Sequence, residues 1–128
     1  MVTFFFALCG CSEVTSPGAQ PPTFAGAKAL VPFTPDFPHI PEYAYYYLTW
    51  DPAADNVTPS SRMIYIVYRN LGTFESFDYS NIFATTEAGA TREVVSWDFL
   101  NDPTAYFAVR AMDEAGNVDS NTKILSVE

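Results

Sequence analysis

The body of this 128-residue chain lacks cysteine, because Cys9 and Cys11 stand together near the N-terminus and no other cysteine follows. The two are too close in sequence for an ordinary disulfide, so neither a disulfide nor a cysteine-ligated metal is expected to hold the fold together. Basic residues are scarce as well, with 6 against 15 acidic residues. The resulting formal charge of −9 repels polyanions and argues against nucleic acid as a partner.

Catalytic motifs are also missing. The only histidine, His39, lies between two prolines with no cysteine or second histidine to join it, so we expect a surface residue rather than a metal ligand or a base. The chain contains no GxSxG, no phosphate-binding loop and no HExxH. Its carboxylates lie in predicted loops, and a small sandwich rarely forms the deep cleft that a glycosidase acid pair needs. The sequence therefore predicts a protein that is not an enzyme.

Aromatic and β-branched runs are what the chain has in abundance. YAYYYLTW begins at Tyr43 and MIYIVYR ends at Arg69, and the polar stretch DPAADNVTPSSR separates them. Two such runs around a loop of turn formers predict two strands. Alternation along the first run divides its side chains between two faces. One face carries Ala44, Tyr46, Leu48 and Trp50, and the other carries Tyr43, Tyr45, Tyr47 and Thr49.

Five further short strands are predicted from the same signals. They are Thr23–Val31, a strand around Asn81–Ala84, Thr91–Trp97, Ala105–Met112 and Thr122–Val127. Seven short strands separated by turn signals indicate an all-β fold, an aligned β-sandwich with one core. The residues expected to face that core are Leu48, Trp50, Tyr65, Val67, Phe107, Val109 and Ala111.

The segment PFTPDFPHIP, residues 32–41, has four prolines in ten residues and cannot be a helix or a central strand. Its apolar residues Phe33, Phe37 and Ile40 need a surface to lie on. Two interpretations of the neighbouring Tyr43, Tyr45 and Tyr47 follow. The tyrosines form an exposed stripe that binds a sugar or a protein, or the proline-rich segment folds back and covers them, which removes an exposed apolar patch. The second interpretation is favoured.

The N-terminal sequence MVTFFFALCGC resembles the end of a bacterial lipoprotein signal peptide. Leu8, Cys9, Gly10 and Cys11 match the lipobox pattern of such signals, with an unusual cysteine at the second place. The resemblance implies a signal peptide over residues 1–10 and a lipid on Cys11. Residues 11–22, rich in Ser, Pro and Gly, then form a tether, and residues 23–128 form the domain.

Five pieces of the chain resemble a fibronectin type III domain of the bacterial extracytoplasmic kind. They are PPTFAG, LTWDPAADNVTP, YIVYR, FATTEAGAT and VRAMDEAGNVDSNT, which together cover Pro21 to Thr122. The resemblance implies a seven-stranded, immunoglobulin-like fibronectin type III sandwich. It also implies a binding, adhesive or spacer module without chemistry of its own.

The same resemblance implies that two acidic loops meet at one end of the sandwich. These loops carry Asp51, Asp55, Asp113, Glu114 and Asp119. Oxygen-rich loops suit calcium, so the five residues are candidate calcium ligands and no other cofactor is expected. Asp and Asn are also the residues that form turns and cap their own backbone, and that interpretation is favoured.

The sequence therefore predicts an extracytoplasmic lipoprotein of the cell envelope, held on a membrane through its lipid. Its domain would bind a partner protein, act in adhesion or serve as a spacer. The alternative is a carbohydrate-binding module that uses the tyrosine stripe.

Overall fold

The computed structural model describes residues 20–72 and 75–127, and it contains two antiparallel sheets. The strands are β1 (Ala29–Pro32), β2 (Tyr43–Thr49), β3 (Ile64–Leu71), β4 (Ile82–Thr85), β5 (Arg92–Asp98), β6 (Ala105–Met112) and β7 (Leu125–Val127). A 3₁₀ turn at Ser60–Arg62 precedes β3. One sheet has the order β1-β2-β5 and the other the order β4-β3-β6-β7. The prediction of a seven-stranded all-β sandwich is confirmed.

Two long strand pairs form the frame of the sandwich. In the three-stranded sheet, β2 pairs with β5 from Tyr43 opposite Asp98 to Thr49 opposite Arg92. In the four-stranded sheet, β3 pairs with β6 along its whole length. Because alternate side chains of a strand point to opposite faces, each pair presents one face to the space between the sheets. The core forms there.

The core contains every residue that alternation assigned to it. The seven predicted residues are Leu48, Trp50, Tyr65, Val67, Phe107, Val109 and Ala111, and all are buried. The structure adds buried residues that were not predicted, namely Ala27, Ala53, Met63, Val95, Trp97 and Ala105. Ala44 and Tyr46, the remaining members of the inner face of β2, pack against the same cluster.

The two tryptophans occupy opposite ends of the core. Trp50 lies beside Tyr65 with ring centroids 5.2 Å apart, and its indole Nε1 donates to the carbonyl oxygen of Ala90. The Tyr65 hydroxyl accepts a hydrogen bond from the Ala53 backbone amide at 2.9 Å. Burial raises the pKa of the Tyr65 phenol, and the hydrogen bond from Ala53 opposes that shift.

At the other end, Trp97 stacks on Tyr46 at 5.5 Å and contacts Phe107 at 5.7 Å.

The two ends of the sandwich are named after the first and the last described residue that pairs with another strand or loop. Thr23 bridges Ala54 at the end where Trp50 lies, and we call this end the Thr23 end. Val127 pairs with Ala105 at the end where Trp97 lies, and we call this end the Val127 end. Strands of seven or eight residues separate these ends by about 20 to 25 Å.

The first predicted strand, Thr23–Val31, is shorter in the structure because Gly26 interrupts it. Thr23 makes only an isolated bridge, and β1 begins at Ala29. Gly26 has a φ of +88°, which favours glycine. A Cβ atom at this position would lie 2.6 Å from Oδ1 of Asn121. Gly26 therefore lets the N-terminal segment turn close to residues 121–123.

The last predicted strand, Thr122–Val127, is also shorter and is reduced to β7. Where β7 would continue along β6, two side chains replace the strand. Oδ2 of Asp119 accepts from the Ala111 amide at 2.6 Å, and Nδ2 of Asn121 donates to the Val109 carbonyl at 2.9 Å. These side chains bind backbone groups of β6 that a paired strand would otherwise bind. Strand pairing along β6 therefore includes only β7, which begins at Leu125.

Strand β5 is an edge strand that carries a charge on its inner face. Glu93 shares the parity of the buried Val95 and Trp97 and is itself half-buried. Burial raises the pKa of the Glu93 carboxyl, and the negative charge of Glu87 adds to the increase. On the same edge, Nη1 of Arg69 donates to the Ser96 carbonyl at 2.7 Å. An inward charge and a side chain bound to the edge both disfavour pairing with a further strand.

Trp50→Ala should lower the free energy of unfolding by about 3 to 5 kcal/mol, because it leaves a cavity in a fully packed core. It also removes the indole donor to Ala90. Chemical denaturation measures the change, and Val57→Ala, at an exposed residue, is the control. A Trp50→Ala variant that unfolds at the same denaturant concentration as the parent would contradict the core assignment.

Glu93→Gln should stabilise the domain at neutral pH and leave it unchanged at acidic pH. A carboxyl whose pKa is raised by folding stabilises the folded state below its unfolded pKa and loses that contribution as the pH rises through its folded pKa. Glutamine imitates the protonated form at every pH. The melting-temperature difference between variant and parent should therefore grow from near zero at about pH 4 to a positive value at about pH 7. Glu42→Gln, at an exposed position, should show no such trend.

Candidate functional site

The predicted lipidation site, Cys11, and the rest of the predicted signal peptide lie outside the described residues, as does the tether up to residue 19. Among the described residues, Thr23 is the first that forms a β-bridge to another part of the domain. Its amide donates to the Ala54 carbonyl at 2.7 Å, and the Ala54 amide donates back at 2.9 Å. Within residues 20–72 and 75–127, no helix is long and apolar enough to cross a bilayer.

The tyrosine stripe on the outer face of β2 is covered by the proline-rich segment. Phe33 stacks on Tyr47 with ring centroids 4.1 Å apart and ring planes 14° from parallel. Phe37 meets Tyr45 edge to face at 6.2 Å. From the neighbouring strand, the guanidinium of Arg92 lies 4.2 Å from the centroid of the Tyr47 ring. Tyr47 is therefore held between an aromatic ring and a cation, which are both favourable partners for its ring.

Tyr45 also makes a polar contact with the covering segment. Its hydroxyl accepts a hydrogen bond from the Ile40 amide at 3.1 Å. His39 lies edge to face with the same ring at 5.6 Å, and it is exposed, as its sequence context predicted. All three tyrosines of the stripe are half-buried. A groove of about 350 Å³ remains open between Phe33, His39, Tyr43 and Tyr45.

The outer face of the four-stranded sheet is covered in a similar way by residues 77–80. Tyr79 meets the buried Tyr68 edge to face at 5.1 Å, and the guanidinium of Arg110 lies 3.6 Å from the centroid of the Tyr79 ring. Asn70 fixes this loop by two hydrogen bonds to the backbone of Asp78, at 2.8 and 3.0 Å. Burial is the main cause that raises the pKa of the Tyr68 phenol.

An apolar crevice lies at the Val127 end, between the ends of the two sheets, with a volume of about 360 Å³. This end crevice is lined by Ala44, Tyr46, Trp97, Phe99, Pro103 and Val127. Phe99 is 42% exposed, and Leu100, next to it in the turn after β5, is 65% exposed. Trp97 is 2% exposed, and its indole Nε1 is buried with no hydrogen-bond partner among the described residues.

Sequence reasoning did not select the end crevice. A signal was present in the run WDFL, because Trp97 and Phe99 share a parity and two large apolar residues, Phe99 and Leu100, stand consecutively in a turn. The apolar side chains of the crevice come from four separate parts of the chain. Only the folding of the sandwich brings them together, so no local pattern could show the site as a whole.

The two acidic loops meet at the Thr23 end, as the resemblance implied. The Glu114 amide donates to Oγ1 of Thr58 at 3.1 Å, and the Glu114 carboxylate pairs with Nε of Arg62 at 2.8 Å. The other candidate calcium ligands have separate local partners. Asp51 pairs with Lys28 at 3.3 Å, and Asp55 accepts from the backbone amide of Thr58 at 2.8 Å.

The two buried carboxylates are also bound within their own turns. Both oxygens of Asp113 accept from Asn117, from the amide at 2.8 Å and from the side chain at 3.1 Å. Asp119 accepts from the amides of Ala111 and Asn121 at 2.6 and 2.7 Å. In the part of the chain that the structure describes, no three acidic, histidine or cysteine side chains are grouped to hold a metal ion.

Comparison of the chain with protein-family models, with curated proteins and with solved structures finds no match.

The melting temperature should be the same in millimolar calcium and in excess chelator, because each candidate carboxylate is already engaged by an amide or a cation. Differential scanning calorimetry on the parent measures it, with Asp113→Asn as a second sample. A calcium-dependent rise of several degrees that the Asp113→Asn variant loses would instead show that these loops rearrange around a calcium ion.

Proposed function

We propose that this protein is a non-enzymatic lipoprotein of the bacterial envelope, carried by a lipid on Cys11, whose fibronectin type III domain binds a partner protein. The sandwich supports the domain assignment because its fourth strand, β4, pairs with β3. In the constant-type immunoglobulin arrangement, the fourth strand joins the sheet of the first, second and fifth strands instead. LTW ends β2, YIVYR lies within β3 and VRAM ends β6, and this order of strands supports the proposal.

The observation that carries the binding function is the end crevice. Large apolar side chains that stay exposed next to a concave apolar surface mark interaction sites, and interface anchors concentrate in such pockets. The crevice lies at the Val127 end, opposite the end where Thr23 enters the sandwich. A tether over residues 11–22 would span a few tens of Å, at roughly 3.1 Å per residue if extended. The crevice would then face away from the membrane, towards a partner.

Carbohydrate binding is the alternative function, and the open groove beside Tyr43 and Tyr45 is the observation in its favour. A glycan screen of the parent and of a Tyr45→Ala variant decides this. Retention of a sugar by the parent and its loss by the variant would support the groove as a sugar site. Normal retention by the variant would exclude the stripe, because Tyr45 lies between its two neighbours on the strand.

The lipid anchor is tested with the native gene and its upstream sequence, expressed in a bacterium. The protein should partition into detergent and carry a lipid mass on its N-terminal peptide, because two or more acyl chains anchor a protein stably. Cys11→Ser should abolish the lipid mass. A soluble product with an intact N-terminus and unmodified Cys11 would contradict the anchor.

Partner binding is tested in the same cells with a photo-reactive amino acid in place of Leu100. A matched variant carries it in place of Val57, which is 54% exposed and lies in the loop that contacts the Thr23 end. Cross-links to another protein should form from position 100 and not from position 57. Equal cross-linking from both positions, or none from position 100, would contradict a partner site at the end crevice.

A further inference from the structure

The charge distribution of the domain differs between its two ends, and this difference bears on what the end crevice binds. Five stretches of described residues lie at the Val127 end or lead away from it, namely residues 33–42, 71–72, 75–80, 99–104 and 125–127. None contains a lysine or an arginine. With the end of β5 they contribute six acidic residues, Asp36, Glu42, Glu75, Asp78, Asp98 and Asp102.

All six basic residues of the chain lie outside these stretches in sequence, and each has a partner within the domain. Lys28 and Arg62 form ion pairs with Asp51 and Glu114 at the Thr23 end. The remaining four are Arg69 bound to Ser96, Arg92 over Tyr47, Arg110 over Tyr79 and Lys123 bound to Ala27. No lysine or arginine lines the end crevice, and neither ion pair among the described residues involves Glu42, Asp98 or Asp102.

The end crevice and its surroundings combine an apolar centre with an acidic rim. The centre, lined by Trp97, Phe99 and Val127, has room for a large apolar side chain. Asp98 lies opposite Tyr43 in the last register pair of the sheet at this end, and Glu42 is the residue before Tyr43, so both stand beside the crevice. Asp102 lies in the same loop as Phe99 and Pro103. Apolar anchors supply most binding energy, and rim charges select the partner.

We propose that the end crevice binds a segment of a partner protein in which a large apolar side chain is flanked by lysine or arginine. This inference rests on the proposed binding function and specifies the chemistry of the partner. A second copy of this chain would bring the same acidic rim into contact with itself, which like charges disfavour. An anionic membrane surface would be repelled for the same reason.

The test uses the full 128-residue chain and short peptides of the sequences KKLFKK, EELFEE and KKSSKK, titrated in an NMR experiment. The two tryptophan indoles are internal reporters. Trp97 lines the crevice, whereas Trp50 lies at the other end with its N–H bound to Ala90. KKLFKK should shift the Trp97 indole signal and the methyl signals of Ala44 and Val127, and leave the Trp50 indole signal in place.

Three variants examine the two parts of the site separately. Leu100→Ser should weaken KKLFKK binding by at least about fivefold if Leu100 contributes to the anchor contact. The double variant Glu42→Gln with Asp102→Asn should weaken it by about two- to fivefold and reduce its dependence on salt. Val57→Ser, an exposed apolar residue outside the crevice, should bind like the parent.

Several outcomes would overturn the proposal. Equal binding of EELFEE would show that charge does not select the partner, and equal binding of KKSSKK would show diffuse attraction without an anchor. The absence of any Trp97 shift with KKLFKK would exclude the site. Trp97 shifts that depend on protein concentration alone would show that a second copy occupies the crevice.

The failure of this proposal is distinguishable from the failure of the proposed function. If position 100 cross-links to a protein in cells while KKLFKK does not bind, the partner site stands and its assigned chemistry is wrong. If position 100 does not cross-link while KKLFKK binds with the expected selectivity, the crevice has the assigned chemistry, and the envelope partner is wrong.

Discussion

The structure depends on one constraint. Strands β2 and β3 carry aromatic side chains on both faces, while a sandwich of two sheets buries only one face of each sheet in its shared core. Tyr65 on β3 is in that core, and Tyr68, three residues later, is buried on the opposite face. On β2, the half-buried Tyr46 packs against the core, and the half-buried Tyr47 lies on the opposite face. Left uncovered, the outer faces would be large exposed aromatic patches, which soluble domains rarely present.

The chain meets this constraint with two of its connections. Residues 33–42 cover the outer face of β2, and residues 77–80 cover the outer face of β3. On each face an arginine from a neighbouring strand lies against a tyrosine ring, Arg92 on Tyr47 and Arg110 on Tyr79. Basic side chains are scarce in this acidic chain, and two of them form cation–π contacts with tyrosine rings. Neither of these two arginines lines the end crevice.

The two ends of the sandwich differ in the partners of their polar and charged side chains. At the Thr23 end, Trp50 and Tyr65 each hold a loop by a hydrogen bond, and the acidic side chains are engaged by amides, lysine and arginine. At the Val127 end, Trp97 closes the core without an acceptor for its Nε1 among the described residues. The apolar crevice beside it stays open. This difference is the physical basis for proposing that the protein binds its partner at the Val127 end.

Sequence alone determined that seven strands form and which side chains at the centres of β2, β3 and β6 face the core. The alternation in YAYYYLTW and in AYFAVRAM is strong, and side chains of a strand can point only to two faces, so Leu48, Trp50, Phe107 and Val109 could be assigned without a structure. The strand Ala105–Met112 has the predicted bounds. The sequence also predicted that the proline-rich segment needs a surface, because its phenylalanines could not remain in water at no cost.

Tertiary structure alone decided the length of the outer strands and the position of the candidate site. Asp119 and Asn121 replace strand pairing along β6 by side-chain hydrogen bonds to Ala111 and Val109, and a strand pattern in the sequence contains no signal for such a replacement. The end crevice unites Ala44, Trp97, Pro103 and Val127, which are up to 83 positions apart in the chain (127 − 44). Local pattern describes the environment of a residue along its own strand. It does not describe which distant residues meet at the end of a sheet, because that depends on how the two sheets pack.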